Sequence, residues 1–211
     1  MGLPLLGWKQ PVVGAESGNV DGAWLNCGGA EWKGSEAKAQ LYASITHHFL
    51  AFLRRFRIPV IPFHGSLLGW RRYCDILPHA QDLDWAVPID AVRPEWLQLI
   101  HQLTWPWLQL KLGHRLEDSL ELSFRINDTK VDLFILYPLN DTKGFYVSGI
   151  SYEGGGGWKQ LLRYSFPLQQ PMRWCRSTIR GLEVNVPCQA DEILRLEYGD
   201  EWRKPKTSWT W

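Results

Sequence analysis

Three aspartates, a Gly-Ser pair and two arginines are the residues of this 211-residue chain best suited to chemistry. Asp82 and Asp84 stand in QDLDWAVP, residues 81–88, an apolar run that reads as a strand. Strand side chains alternate faces, so both acids point one way, roughly 7 Å apart, while Leu83 and Trp85 point the other. Like charges so placed repel unless a cation or a positive partner lies between them. Asp132 sits in a similar apolar run, VDLFILY. Three carboxylates converging from adjacent strands supply hard oxygen ligands for Mg²⁺ or Mn²⁺, which bridges to phosphates and spreads their charge. In a two-metal arrangement Asp132 also orients or deprotonates an attacking hydroxyl. Upstream, Gly65 and Ser66 are expected at a turn, where glycine lets the backbone approach a phosphate and the next helix offers amides to its oxygens. Arg71 and Arg72 follow closely and suit a phosphate or nucleotide clamp. Asp82, Asp84 and Asp132 are thus the catalytic and metal-binding candidates. Gly65, Ser66, Arg71 and Arg72 are the phosphate-binding candidates, and the chemistry is phosphoryl transfer.

Each part also has an ordinary explanation. A Gly-Ser dipeptide is commonly just a turn, Asp132 suits an ion pair with Lys130 or Arg125, and His64 and His79 suit hydrogen-bonded structural roles. The three acids are set apart by lying beside apolar runs, where unpaired charge is costly. An EF-hand reading of DLDWAVPID fails, because the sixth position of a calcium loop needs glycine and holds Val87.

The elements that must position these groups follow from periodicity. A helix opens at Ser35 as N-cap, with Leu41, Ile45, Phe49, Phe52 and Phe56 at helical spacing, and ends near Arg57. IPVIPF, with Pro59 and Pro62, suits a short edge strand. A second helix is expected from Pro94, burying Trp96, Leu97, Ile100 and Leu103, followed by a strand in WLQLKL. LELSFRI and KVDLFILYP flank the turn cluster NDT as a hairpin. YEGGGGW reads as a flexible loop without the P-loop pattern. GLEVNVP reads as a strand and QADEILRLEYG as a helix stopped by Gly199. Residues 1–34 are expected to be an irregular extension, and residues 35–211 a single α+β domain.

Composition narrows the partners. Lys plus Arg (23) nearly balances Asp plus Glu (22), so no global field recruits nucleic acid or an anionic membrane. MGLPLLGWKQ is neither a signal peptide nor a membrane span, and no 18-residue apolar run follows. Thirteen tryptophans read as core and rim packing. Cys27, Cys74, Cys175 and Cys188 show no zinc spacing; two disulfides and four thiols both remain open.

HGSLLGWRRYCDILPHAQDLDWAVPI resembles the LicD and fukutin family at Gly65, Ser66, Leu67, Leu68, Gly69, Arg72, Ile76, Pro78, Asp82 and Asp84. KVDLFILYP is similar to the strand carrying that family's third carboxylate, which gives Asp132. PCQADEILRLEYGDEWRKP resembles its C-terminal signature through Tyr198, Gly199, Trp202 and Pro205. The resemblance implies a nucleotidyltransferase-like mixed β-sheet flanked by helices, with added C-terminal strands and a helix. It implies metal-dependent transfer of a phospho-alcohol, of the ribitol 5-phosphate or phosphocholine type, from a CDP-linked donor to a glycan acceptor. It also implies placement in the Golgi lumen or membrane, with a protein partner in glycosylation. GWRRYCDILPH is similar to the fukutin side of the family. Ala80 and Gln81 stand where many relatives carry further acids, which leaves Asp82 and Asp84 as the only paired ligands. Two other readings stay open at this point: a non-catalytic member that binds a glycan or a transferase, and a D-x-D glycosyltransferase using sugar nucleotides.

Overall fold

The structure is a computed structural model that describes residues 20–93, 95–96, 108–112, 115–140, 143–153 and 158–205. Ser35 caps the first helix, α1 (Glu36–Arg55), its hydroxyl accepting from the Lys38 amide, and Arg54 and Arg55 close it where positive charge is favoured. Its buried stripe is Ala39, Tyr42, Ile45, Phe49 and Leu53. Leu41, expected on that stripe, is exposed because the face centres one residue further on. IPVIPF supplies the short edge strand β2 (Ile61–Pro62). The Gly-Ser pair does not sit at a turn, as expected, but inside the first turn of helix α2 (His64–Tyr73).

One sheet takes the order β2, β3 (Asp82–Pro88), β6 (Thr129–Pro138), β5 (Glu121–Ile126), β4 (Leu108–Leu112). β3 and β6 are parallel and the other neighbours antiparallel, so the sheet is mixed. β5 and β6 are the expected hairpin, with Asn127 and Asp128 both at positive φ in its turn. Phe49 of α1 meets Phe124 of β5 edge-on, ring centroids 5.4 Å apart, and so lays the helix on the sheet. Leu83 and Trp85 are buried behind β3, as the alternation required.

A further hairpin, β7 (Phe145–Glu153) with β8 (Trp158–Phe166), joins the end of β6 through Tyr137 and Tyr146; the sequence reading did not include it. β9 (Trp174–Ile179) and β10 (Leu182–Pro187) form a second sheet with β1 (Val20–Trp24), and helix α3 (Ala190–Tyr198) ends at Gly199. The fold is α+β, mixed sheets flanked by helices, in keeping with a nucleotidyltransferase-like architecture. The segment before Ser35 is not wholly irregular: β1 pairs in parallel with β9, and Trp32 donates its indole N–H to the Ile76 carbonyl at 2.8 Å. The cysteines resolve as two disulfides, Cys27–Cys74 and Cys175–Cys188. Residues 1–19, most of the helix expected from Pro94, and the four glycines of YEGGGGW lie outside the described residues. Among the described residues no helix is long and apolar enough to cross a membrane.

Gly69 sets how the segment after α2 returns toward the sheet. A Cβ there would meet the Leu77 amide nitrogen at 2.6 Å and the Asp75 carbonyl oxygen at 2.7 Å, both backbone atoms that cannot swing aside. Gly69→Ala is therefore expected to destabilise the protein by ~1–3 kcal/mol despite alanine's better helix propensity. A chemical-denaturation midpoint checks this, and an unchanged midpoint would show that the loop gives way.

Candidate active site

Register brings the acids together. The parallel pairing of β3 and β6 sets Asp84 beside Asp132 and Asp82 beside Lys130. The antiparallel pairing of β6 and β5 sets Ser123 beside Asp132 and Glu121 beside Phe134. With a period of two, Asp82, Asp84, Lys130, Asp132, Glu121 and Ser123 share one face of the sheet. Asp82, Asp84 and Asp132 each offer a carboxylate oxygen within 4.8 Å of the others. They open onto a cavity of ≈ 1160 Å³, walled on other sides by His64, Tyr164, Leu196 and Glu197.

The Gly-Ser pair serves the acids directly. The Gly65 amide donates to Asp84 Oδ2 at 3.1 Å, and the Asp84 amide donates to Ser66 Oγ at 2.9 Å. A Cβ on Gly65 would come within 3.2 Å of that same carboxylate oxygen, so glycine keeps the contact open. Gly65 lines the cavity, whereas Ser66 is buried behind it. Asp132 accepts from the Ser123 hydroxyl and from Lys130 Nζ, the latter at 2.6 Å.

The structure does not bring Arg71 and Arg72 to the cavity. Arg71 forks onto the Asp191 carboxylate, with Nε to Oδ1 at 2.6 Å, and also donates to the Asn26 carbonyl. Arg72 is buried and donates to the carbonyls of Trp202 and Lys204. Arg72 thus satisfies the carbonyls of the turn that follows α3, which links the first sequence motif to the C-terminal one.

Burial and mutual repulsion raise Asp82, Asp84 and Glu121. Burial, reinforced by Asp82 and Asp132, lifts Asp84 to about 7 even though His64 opposes the shift. Burial and then Asp132 lift Glu121 to about 7 against the pull of Lys130. Asp82 is raised by burial and by Asp132. Burial would lower Lys130 and His64, but Asp132 outweighs it for the lysine and Glu197, 2.5 Å from His64 Nδ1, for the histidine. Four carboxylates on one face with one ammonium bonded among them form a donor set short of positive charge. Its hard oxygens fit Mg²⁺ or Mn²⁺.

Residues 58–189 match the family described as LicD/FKTN/FKRP, nucleotidyltransferase domain. The chain belongs to the LicD/FKTN/FKRP family. It is 31% identical over 160 residues to the ribitol-5-phosphate transferase FKTN of Mus musculus and to that of Homo sapiens, covering 75% of this chain and 32% of each relative. An uncharacterized protein of Caenorhabditis elegans is 30% identical over 152 residues, 70% of this chain and 39% of the relative. The chain therefore spans about a third of the length of the mammalian relatives it matches. The LicD-family match contains every acid on the shared face, while Glu197 lies just beyond it.

Sequence reasoning passed over three groups of this LicD-family site: Glu121, Lys130 as a cavity residue, and the His64–Glu197 pair. Glu121 was within reach. With the turn at Asn127–Asp128, hairpin register places Ser123 opposite Asp132 and hence Glu121 on the same face, an acid inside an apolar strand just as Asp82 is. The His64–Glu197 contact spans 133 residues and has no local signal.

Proposed function

We propose that this chain is a metal-dependent phosphotransferase that moves a phospho-alcohol from a CDP-activated donor to a glycan hydroxyl. The carrying observation is the convergence of Asp82, Asp84 and Asp132 from two hydrogen-bonded strands onto an open cavity, in a LicD-family chain. These three residues would hold Mg²⁺ or Mn²⁺, which when bound neutralises phosphoryl oxygens and activates the phosphorus toward attack. Gly65 and Ser123 hold the carboxylates of Asp84 and Asp132 in fixed orientations, and Ser66 fixes the Asp84 backbone amide, so the site is preorganised. In the reaction the acceptor oxygen forms a new bond to phosphorus, the anhydride bond to CMP breaks, and the acceptor proton passes to a carboxylate, for which we take Asp132. Ribitol 5-phosphate is the favoured group, by analogy with the activity for which the mammalian relatives are named; phosphocholine is the alternative. Two disulfides suit an oxidising compartment such as the Golgi lumen, where a glycosylation partner protein would be met. The catalytic unit is taken as residues 35–211, to which β1 and the Cys27–Cys74 disulfide tie the segment before Ser35.

A thermal-shift panel of CDP-ribitol, CDP-choline, CDP-glycerol and UDP-sugars, with and without Mn²⁺, tests this reading, because a ligand of the folded state raises Tm by mass action. CDP-linked donors are expected to stabilise the protein in the presence of Mn²⁺. Preference for UDP-sugars would make it a glycosyltransferase, and no nucleotide response would make it a non-catalytic family member.

A further inference from the structure

Lys130 is the only lysine or arginine among the described residues that line the cavity. Arg71 and Arg72, the cations nearest in sequence to the Gly-Ser pair, are committed to Asp191 and to the carbonyls of Trp202 and Lys204. Arg125, next to Lys130 in the β5–β6 register, donates to the Asp128 carbonyl and does not line the cavity. The Lys130 ammonium is bonded to Asp132 Oδ2 at 2.6 Å, yet its side chain is 47% exposed, whereas that of Asp132 is 4% exposed. The buried partner is fixed and the cationic partner sits at the solvent side on a flexible four-carbon stem.

We propose that Lys130 is an exchangeable counterion. It neutralises Asp132 while no divalent cation is held, and it turns to hold a phosphate of the nucleotide donor once the cation takes the three aspartates. The argument is electrostatic. A divalent ion among Asp82, Asp84 and Asp132 satisfies the same carboxylate that Lys130 bonds, and two positive charges on one carboxylate repel. The released ammonium remains in the cavity, where a nucleoside diphosphate brings phosphate oxygens for it to hold. Ammonium groups bind phosphate as point charges and need no fork geometry. Metal and donor are then coupled through one side chain: the metal releases the lysine, and the lysine strengthens the hold on the donor. This rests on the phosphotransferase reading above and adds to it the residue that holds donor phosphate.

The test uses the full chain and two probes, Mn²⁺ alone and CDP at saturating Mn²⁺, titrated by calorimetry into wild type, Lys130→Met and Lys130→Arg. Methionine keeps most of the stem and removes the charge. Lys130→Met is expected to bind Mn²⁺ alone about fivefold more tightly, since a competing cation is gone, and to bind CDP about tenfold or more weakly. Lys130→Arg is expected to bind CDP within about threefold of wild type, since the charge is retained. If Lys130→Met binds Mn²⁺ no more tightly than wild type, the exchange is wrong. Unchanged CDP affinity in that variant overturns the phosphate-holding role. Failure of wild type itself to bind Mn²⁺ or CDP would instead sink the phosphotransferase reading, and the inference with it.

Discussion

Asp84→Asn is expected to reduce transfer from a CDP-linked donor by about a thousandfold or more while raising the melting temperature of the metal-free protein at neutral pH. The two effects have one cause. Asp84 is 8% exposed, its Oδ2 is held by the Gly65 amide, and it faces Asp82 and Asp132. An asparagine oxygen can still accept from Gly65, so the backbone contact survives and a buried, repelled charge disappears. On the proposed function the same charge is what the cation needs, and removing one of its three proposed anionic ligands costs catalysis on the scale of other preorganised electrostatic contacts or more. A product assay paired with a melt in excess EDTA checks both halves. Retained turnover would remove Asp84 from the metal set. Lost turnover with a lowered melting temperature would show Asp84 to be mainly a structural residue.

Sites that trade stability for charge are the places where local sequence rules break, and here that break was what made the site legible. Asp82 and Asp84 stood out because acids do not belong inside an apolar strand, and the structure gathers them with Asp132 on one face of the sheet. The β5–β6 hairpin, α1 and α3 were legible for a different reason: each carries its own signal, the turn at Asn127–Asp128, the N-cap at Ser35 and the stop at Gly199. Contacts between distant parts of the chain have no such signal. Arg71 and Arg72 looked like phosphate clamps because they follow Gly65 and Ser66 closely, but helix α2 turns them toward Asp191 and the Trp202 carbonyl. No period in the sequence encodes that destination. The pairing of β1 with β9 and the two disulfides are long-range in the same sense, and four cysteines alone allow three connectivities.

The electrostatics of the site also predict an unusual pH response. Burial and neighbouring acids raise Asp84 and Glu121 to about 7, and Asp82 and His64 are raised as well. A group raised in the folded state binds its proton more tightly there than in the unfolded chain. Its contribution to stability is therefore complete below the unfolded value and is lost as pH climbs through the folded one. Asp84 and Glu121 act from about pH 4 up to about 7, Asp82 acts with the same sign, and His64 adds a loss of that sign above about pH 6.5. All four thus push in one direction. In EDTA the melting temperature is expected to fall between about pH 5 and pH 8, by an amount on the order of 10 °C if a few kcal/mol are lost. Saturating Mn²⁺ should flatten that fall, because the cation takes the place of the protons and binds better as they leave. Asp84→Asn in EDTA should remove the largest single share of the slope. A melting temperature that stays level or rises over this range in EDTA would mean that the acids are ionised without penalty, and that the site has no unmet need for a cation.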